Sequence, residues 1–217
     1  PAAAEPPPAH DLLWRNNGDG TFTDVSESAG RPYDFLPTEG AAWGDMDGDG
    51  YVDLYVANYE TPQNWTGGVL SVATPDILWQ NQGDGTFVDV SAESGIRDLP
   101  NQCGRGVNWA DHDNDGWQDI FVSNYRLNAN YLWHNQGYGD FVNRSVEAGV
   151  VGEFTQGAYG HTIGSQWADF DNDGDWDLLT ANLAHPRFIE FSDKTMLYIN
   201  SGAPGFTFTD IRETAGI

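Results

Sequence analysis

Three short segments of the sequence combine evenly spaced aspartates with a glycine, a pattern typical of loops that bind a hard cation. They are DMDGDGYVD (45–53), DHDNDGWQD (111–119) and DFDNDGDWD (169–177). In such a loop, positions 1, 3 and 5 direct carboxylate oxygens to a common centre, position 7 offers its backbone carbonyl, and position 9 closes the shell. The glycine after position 5 permits the sharp turn. All-oxygen ligation of this kind favours Ca²⁺, whereas Mg²⁺ takes fewer protein ligands and keeps more water.

We therefore predict three calcium sites, with side-chain ligands at positions 1, 3, 5 and 9 and a carbonyl ligand at position 7. The alternative, an acidic turn that merely favours Asp and Gly, explains one copy better than three copies in one register. The predicted ligands are Asp45, Asp47, Asp49, Tyr51, Asp53, Asp111, Asp113, Asp115, Trp117, Asp119, Asp169, Asp171, Asp173, Asp175 and Asp177.

These loops do not have the sequence of an EF-hand. The twelfth position, where an EF-hand carries a bidentate glutamate, holds Val56, Val122 or Thr180. The segments that follow, DLYVAN, DIFVSN and DLLTAN, are rich in β-branched and apolar residues and predict strands, not helices. The predicted role of each ion is to hold two strands together.

A second unit recurs between the acidic loops and predicts a β-hairpin. LLWRNNGDGTFTDVSESAG (12–30) returns at 77–95, 131–149 and 196–216, with the aromatic residue of each copy at Trp14, Trp79, Trp133 and Tyr198. The Gly-Asp-Gly at its centre favours a tight turn over a phosphate-binding loop, because no helix-forming segment follows it. The third and fourth copies replace it with Gly-Tyr-Gly and Gly-Ala-Pro-Gly, which leaves their turn type open.

The two alternating units predict an all-β fold, a β-propeller of four-stranded antiparallel blades. A Pro/Ala-rich tether (1–11) precedes a propeller segment (12–217), which contains a half-blade at 12–25 and blades at about 41–91, 105–146 and 163–211. Because propellers need at least four blades, three and a half cannot close a ring. We expect a longer chain, or another chain, to complete it.

Composition limits the classes of partner. Acidic residues outnumber basic residues 33 to 9, and the net charge of −24 disfavours binding to nucleic acid or to anionic membranes. The sequence has no apolar run long enough for a membrane span. The nine Trp argue against disorder, and the single cysteine, Cys103, excludes an internal disulfide.

The segment WGDMDGDGYVDLYVAN followed by LWQNQGDGTFVDVS resembles the FG-GAP/VCBS repeat family, whose calcium-loop blades are similar to those of integrin α-subunit propellers. The chain is closer still to secreted bacterial repeat proteins and to cartilage-acidic-protein-like repeat proteins. The resemblance covers residues 12–217. It implies a secreted, extracellular or periplasmic protein, associated in some members with the cell surface.

On this basis we expect a calcium-stabilised propeller that serves as a binding or structural subunit of an extracellular assembly. The alternatives are an accessory part of a secreted carbohydrate-active enzyme or lyase, and a carbohydrate-binding module that would use exposed Trp and Asp residues, Trp65 among them. The segment contains no catalytic motif of its own, and we predict that it is not an enzyme. A protein partner is expected, with a glycan as a further candidate, on the irregular connections at 59–76, 96–104, 147–162 and 183–195.

The remaining reactive residues carry weaker expectations. His112 lies inside the second acidic loop and is expected to point outward if its neighbours ligate the ion. The other histidines are expected at the surface or in blade packing. Cys103 is expected to be an incidental or buried thiol. Two sequons, at 64–66 and 143–145, would be glycosylated only in a suitable secretory pathway.

Overall fold

The computed structural model describes residues 11–30, 36–61, 72–183 and 194–216. The predicted tether lies almost wholly outside these residues, as do Trp65 and its sequon. The strands are β1 (Trp14–Asn16), β2 (Phe22–Asp24), β3 (Thr38–Gly44), β4 (Asp53–Asn58), β5 (Glu60–Thr61), β6 (Val72–Ala73), β7 (Ile77–Asn81), β8 (Phe87–Asp89), β9 (Cys103–Ala110), β10 (Asp119–Tyr125), β11 (Tyr131–Asn135), β12 (Phe141–Asn143), β13 (Thr162–Ala168), β14 (Asp177–Asn182), β15 (Met196–Asn200) and β16 (Phe208–Asp210).

Twelve of these strands form three antiparallel four-stranded sheets, each in simple chain order. The first sheet is β3-β4-β7-β8, the second is β9-β10-β11-β12 and the third is β13-β14-β15-β16. β1 and β2 form a two-stranded sheet, and β5 pairs with β6. The all-β prediction is therefore confirmed, with sheets of the kind that form propeller blades. The number of blades in the ring and the domain boundaries stay predictions.

The hairpin register is the same in every copy of the second unit. Trp14 lies opposite Asp24, Trp79 opposite Asp89, and Tyr198 opposite Asp210. The third copy pairs Trp133 with Asn143 in the same way, although its central turn has a different sequence. The change of turn sequence therefore leaves the strand register intact.

Consecutive residues of a central strand contribute to two different cores, because the side chains of a strand alternate between its faces. Ile120 of β10 packs with Tyr55 and Leu78 of the first sheet. The next residue, Phe121, packs with Trp167 of the third sheet. This arrangement explains why the second strand of each unit is apolar at successive positions.

The first strands of neighbouring sheets approach closely at glycines. A Cβ atom on Gly40 would lie 2.2 Å from the carbonyl oxygen of Arg105, and one on Gly106 would lie 3.0 Å from the Cα atom of Gly164. The backbones leave no room for a side chain at Gly40, whereas at Gly106 a side chain would fit only if the neighbouring strand moved by a few tenths of an ångström.

Among the described residues, helix is confined to two single turns, α1 (Ser145–Ala148) and α2 (Arg212–Ala215), each of which follows the last strand of a sheet. In the corresponding segments after β2 and β8 the chain forms turns instead. Within the described ranges, none of the helices has the length and apolar character needed to cross a membrane.

Candidate metal centres

Each acidic loop joins the first and second strands of a four-stranded sheet. We call them loop 1 (45–53), loop 2 (111–119) and loop 3 (169–177). In loop 1 the carboxylate of Asp45 accepts hydrogen bonds from the backbone N–H groups of Gly48 (2.9 Å) and Gly50 (3.0 Å). The first aspartates of loops 2 and 3 accept the corresponding bonds from Gly116 and Gly174. The first aspartate thus folds the loop around its own carboxylate.

The ninth residue of each loop anchors it to the sheet. Asp53 is 1% exposed, and its Oδ2 atom accepts a hydrogen bond from the backbone N–H of Met46 at 2.9 Å. Its Oδ1 atom accepts one from the backbone N–H of Asn81 in β7 at 2.8 Å. Asp119 and Asp177 make the same pair of bonds in their own sheets. The ninth aspartate therefore connects the loop to the third strand of its sheet.

Oxygens of three carboxylates converge within 4.8 Å of one another in every loop, although the sets differ. Loops 1 and 3 bring together positions 1, 3 and 9, which are Asp45, Asp47 and Asp53 in one case and Asp169, Asp171 and Asp177 in the other. Loop 2 brings together positions 1, 3 and 5, which are Asp111, Asp113 and Asp115. Carboxylate clusters of this kind suit a hard cation.

The remaining predicted ligands lie in the same loops but outside these clusters. Asp49 and Asp173 accept hydrogen bonds at 2.8 and 2.9 Å from the backbone N–H groups of Tyr51 and Asp175. The seventh residue of each loop also packs against the hairpin turn of its sheet. In loop 2, for example, a Cβ atom added to Gly137 of the turn would lie 3.4 Å from the ring of Trp117. The acidic loops and the hairpin turns therefore lie together at one end of each sheet.

The acidic loops are electrostatically crowded without a cation. Burial, together with the smaller effect of the negative charges of Asp47 and Asp49, raises the pKa of Asp53 to about 6. Burial also raises the pKa of Asp113. A bound cation would stabilise the ionised carboxylates and remove this repulsion.

A family model for the FG-GAP-like repeat matches residues 4–56 and 111–180, which together are more than half of the chain. The chain belongs to the FG-GAP repeat family. The family resemblance seen in the sequence is thereby confirmed.

Three curated relatives of this FG-GAP chain are all cartilage acidic protein 1. The mouse protein is 30% identical over 168 residues, which are 77% of this chain and 23% of the mouse protein. The human protein is 34% identical over 111 residues, and the protein of Xenopus tropicalis is 33% identical over the same length. The matched regions span 16 to 23% of these relatives' own lengths.

An asparagine that recurs in each FG-GAP hairpin is a structural residue that sequence reasoning missed. Asn135, at the end of β11, donates from Nδ2 to the carbonyl oxygen of Met46 in the neighbouring sheet at 2.8 Å. Asn200 donates in the same way to the carbonyl of His112 at 2.9 Å. The signal was present, because all four hairpin copies place Asn two residues after the aromatic position.

The expectation that His112 points outward was wrong. Its side chain is 5% exposed, and its Nδ1 atom lies 2.5 Å from Oδ2 of Asp119. The ring also stacks against Phe208 of the third sheet at a centroid distance of 6.2 Å. The second position of an acidic loop faces the adjacent sheet, which the spacing of the acids does not reveal.

Cys103 and the second sequon lie in ordered structure. Cys103 is buried, and burial raises the pKa of its thiol to about 11, so the reactive thiolate is scarce at neutral pH. Asn143 accepts hydrogen bonds through Oδ1 from the backbone N–H and the hydroxyl of Ser145. Ser145 is 1% exposed. Folding therefore buries the hydroxyl residue of this sequon.

Proposed function

We propose that this chain is a calcium-stabilised propeller segment of an extracellular repeat protein, where it acts as a binding or structural subunit. The observation that carries the proposal is the convergence of three carboxylates in each of three loops at equivalent places in three sheets. Calcium would occupy each loop, with the carbonyls of Tyr51, Trp117 and Asp175 completing its oxygen shell. The same proposal holds that this segment has no catalytic role.

Two findings support the extracellular location. The relatives found are named for cartilage, and the chain shares their acidic character, with a net charge of −24. Three calcium ions would reduce the formal charge to −18, because each carries two positive charges. We expect dissociation constants on the order of 10⁻⁴–10⁻³ M, the range of extracellular calcium modules.

The outer face of the third sheet supports a role in assembly. Tyr55 and Phe121 are both 0% exposed because the next sheet covers them, whereas Leu179, at the corresponding position of β14, is 38% exposed. A groove of about 430 Å³ follows this face and is lined by Leu179, Leu197 and Phe170, among others. We infer that a further FG-GAP sheet packs here, because the face repeats the positions that receive a sheet elsewhere.

The edge of β1 supports the same proposal. In the four-stranded sheets, the strands equivalent to β1 pair on one side with the strand that leaves the acidic loop, as β7 pairs with β4. β1 pairs with β2, and within the described residues no second strand pairs with it. An additional acidic-loop unit, from this protein or a partner, would supply that strand.

Calcium binding is tested by calorimetry and thermal unfolding, with and without EDTA. We expect removal of calcium to lower the melting temperature by many degrees, because the free carboxylates repel one another once the ion leaves. Asp47→Asn should weaken one site of the three. Asp84→Asn is the matched control, because it removes the same charge from an exposed hairpin turn outside the acidic loops.

The calcium proposal fails if the melting curve is the same in EDTA and in excess calcium. It also fails if Asp84→Asn lowers calcium affinity as much as Asp47→Asn does, since the effect would then follow net charge and not ligation.

The assembly proposal is tested with Leu179→Asp in the full-length protein. If a further sheet covers this face, the substitution should lower the free energy of unfolding by about 2 kcal/mol or more, the value of a buried leucine. Val88→Asp is the control, because Val88 is 49% exposed on a sheet whose neighbour is already present. Equal effects of the two substitutions would show that nothing covers Leu179.

A further inference from the structure

Loop 2 differs from the other two loops because two histidines accompany its acids. The side chains of His112, Asp113, Asp119 and His134 each offer a donor atom, and these four atoms lie within 4.8 Å of one another. His112 and Asp119 are 4% and 1% exposed, and the two imidazole rings meet edge to face at 5.8 Å between centroids. The cluster therefore combines two nitrogen and two oxygen donors in a largely buried position.

Both histidine positions carry other residues in the equivalent sheets. The place of His112 is taken by the buried Met46 in the first sheet and by Phe170 in the third. The place of His134 is taken by Gln80, whose Nε2 atom donates to Asp47 at 2.7 Å, and by Ile199. The fold thus accommodates both positions without an imidazole, and packing alone does not require the histidines.

The ninth aspartate of loop 2, Asp119, also has different neighbours from the ninth aspartates of loops 1 and 3. In loops 1 and 3 this residue belongs to the carboxylate cluster of its own loop, but Asp119 groups with the histidines. Its Oδ1 atom lies 3.2 Å from Nδ1 of His134, and Oδ2 of Asp113 lies 3.4 Å from the same nitrogen. The other oxygen of Asp113 is buried and has no hydrogen-bond partner within the described ranges.

Two separations in this cluster, both measured from Nδ1 of His134, match the ligand spacing of a transition-metal site. With bonds of about 2.0–2.1 Å, a tetrahedral zinc ion holds neighbouring donors about 3.3 Å apart. The two separations at His134 agree with this value. The shorter 2.5 Å contact between His112 and Asp119 is a hydrogen bond, which would lengthen when both become ligands. Imidazole suits zinc and its neighbours in the first transition row, whereas calcium prefers oxygen.

We propose that His112, His134, Asp113 and Asp119 form a second type of metal site, which binds a divalent ion of the zinc class beside loop 2. A cavity of about 220 Å³, lined by His112, Asp113 and His134, provides space for the ion to enter. Asp113 belongs both to this site and to the oxygen cluster of loop 2, so the two ions would share a carboxylate.

The test is a titration of the full chain with zinc chloride in the presence of excess calcium, followed by calorimetry. We expect one zinc ion to bind tightly per chain. The double variant His112→Met with His134→Gln carries the residues that the first sheet has at these positions. It should bind zinc at least about 100-fold more weakly, because loss of an outer-shell partner alone costs about 10–100-fold and here two ligands are lost. Asp171→Asn is the control, because loop 3 has acids but no equivalent histidines, and its zinc affinity should be unchanged.

Circular dichroism would establish that the double variant is folded. If it is not folded, His134→Gln alone carries the test, because the side chain of His134 is 16% exposed whereas that of His112 is 5% exposed. Zinc binding that survives loss of the histidines, or that Asp171→Asn reduces equally, would overturn the proposal. So would the absence of zinc binding in excess calcium. Because zinc binding and calcium binding are measured in different experiments, a failure of this site can be distinguished from a failure of the calcium sites.

Discussion

Asp76 should make the free energy of unfolding depend on pH, by an amount that follows from its pKa in the folded protein. It lies just before β7, at the end of the first sheet away from the acidic loop, and its carboxylate accepts hydrogen bonds from the Tyr55 hydroxyl and the Asn58 backbone N–H, both at 2.8 Å. Burial of the carboxyl group raises its pKa from 3.8 to about 7 in spite of these bonds. The folded protein therefore retains a proton on Asp76 that the unfolded chain releases at lower pH.

The sign of the pH effect follows from this difference. Between about pH 4 and pH 7 the folded state binds more protons than the unfolded state, so the free energy of unfolding falls as the pH rises. A shift of about 3 units corresponds to about 4 kcal/mol at most. Because Asp76 is only partly buried, screening by solvent reduces this figure, and we expect about 2–4 kcal/mol.

The test uses the substitution Asp76→Asn. It keeps an oxygen that can accept the hydrogen bond from the Asn58 backbone N–H, and it removes the ionisable group. We expect the variant to lose this slope and to be more stable than the parent protein at pH 8, where Asp76 is ionised in both states of the parent. Urea unfolding at pH 5, 6, 7 and 8 in constant calcium measures the difference. Asp84→Asn should keep the parental profile, because hydrogen bonds from Thr86 lower the pKa of the exposed Asp84. Parallel curves for parent and Asp76→Asn would refute the reasoning.

Three further predictions concern the packing of the sheets. Asn135→Ala should cost about 1–3 kcal/mol of stability, because it leaves a buried carbonyl of the neighbouring sheet unpaired; urea unfolding measures it. Gly44→Ala should cost about 1–3 kcal/mol, since its Cβ atom would lie 2.2 Å from Trp109. Gly164→Ala should change the unfolding midpoint little, because a Cβ atom there would meet no other atom within 4 Å. Cys103 should resist thiol labelling at pH 8 until the protein unfolds, and rapid labelling of the native protein would contradict its burial.

The local elements could be predicted from the sequence because their causes are local. Strand alternation, glycine turns and the recurrent aromatic residue specify each hairpin, and Trp79 and Trp133 have the same register in the structure. The spacing of the aspartates likewise indicated which carboxylates would share a loop. These patterns act over short stretches of the chain, so they can be recognised in the sequence, and their repetition in one register made the prediction specific.

The contacts between sheets could not be predicted in this way. Asn135 and Met46 are 89 positions apart, and their hydrogen bond depends on how one sheet packs on the next. The same packing turned His112 inward against Asp119, where the aspartate spacing alone suggested an outward position. It also left Leu179 exposed although its equivalents are buried.

The sequence by itself thus determined the repeats, the strands and the acidic loops, since each depends on backbone geometry and side chains close together in the chain. Tertiary structure decided which carboxylates converge, which histidines join them and which face stays open. Each of these depends on a neighbouring element that lies far away in the sequence, and burial by that neighbour sets the environment of the site.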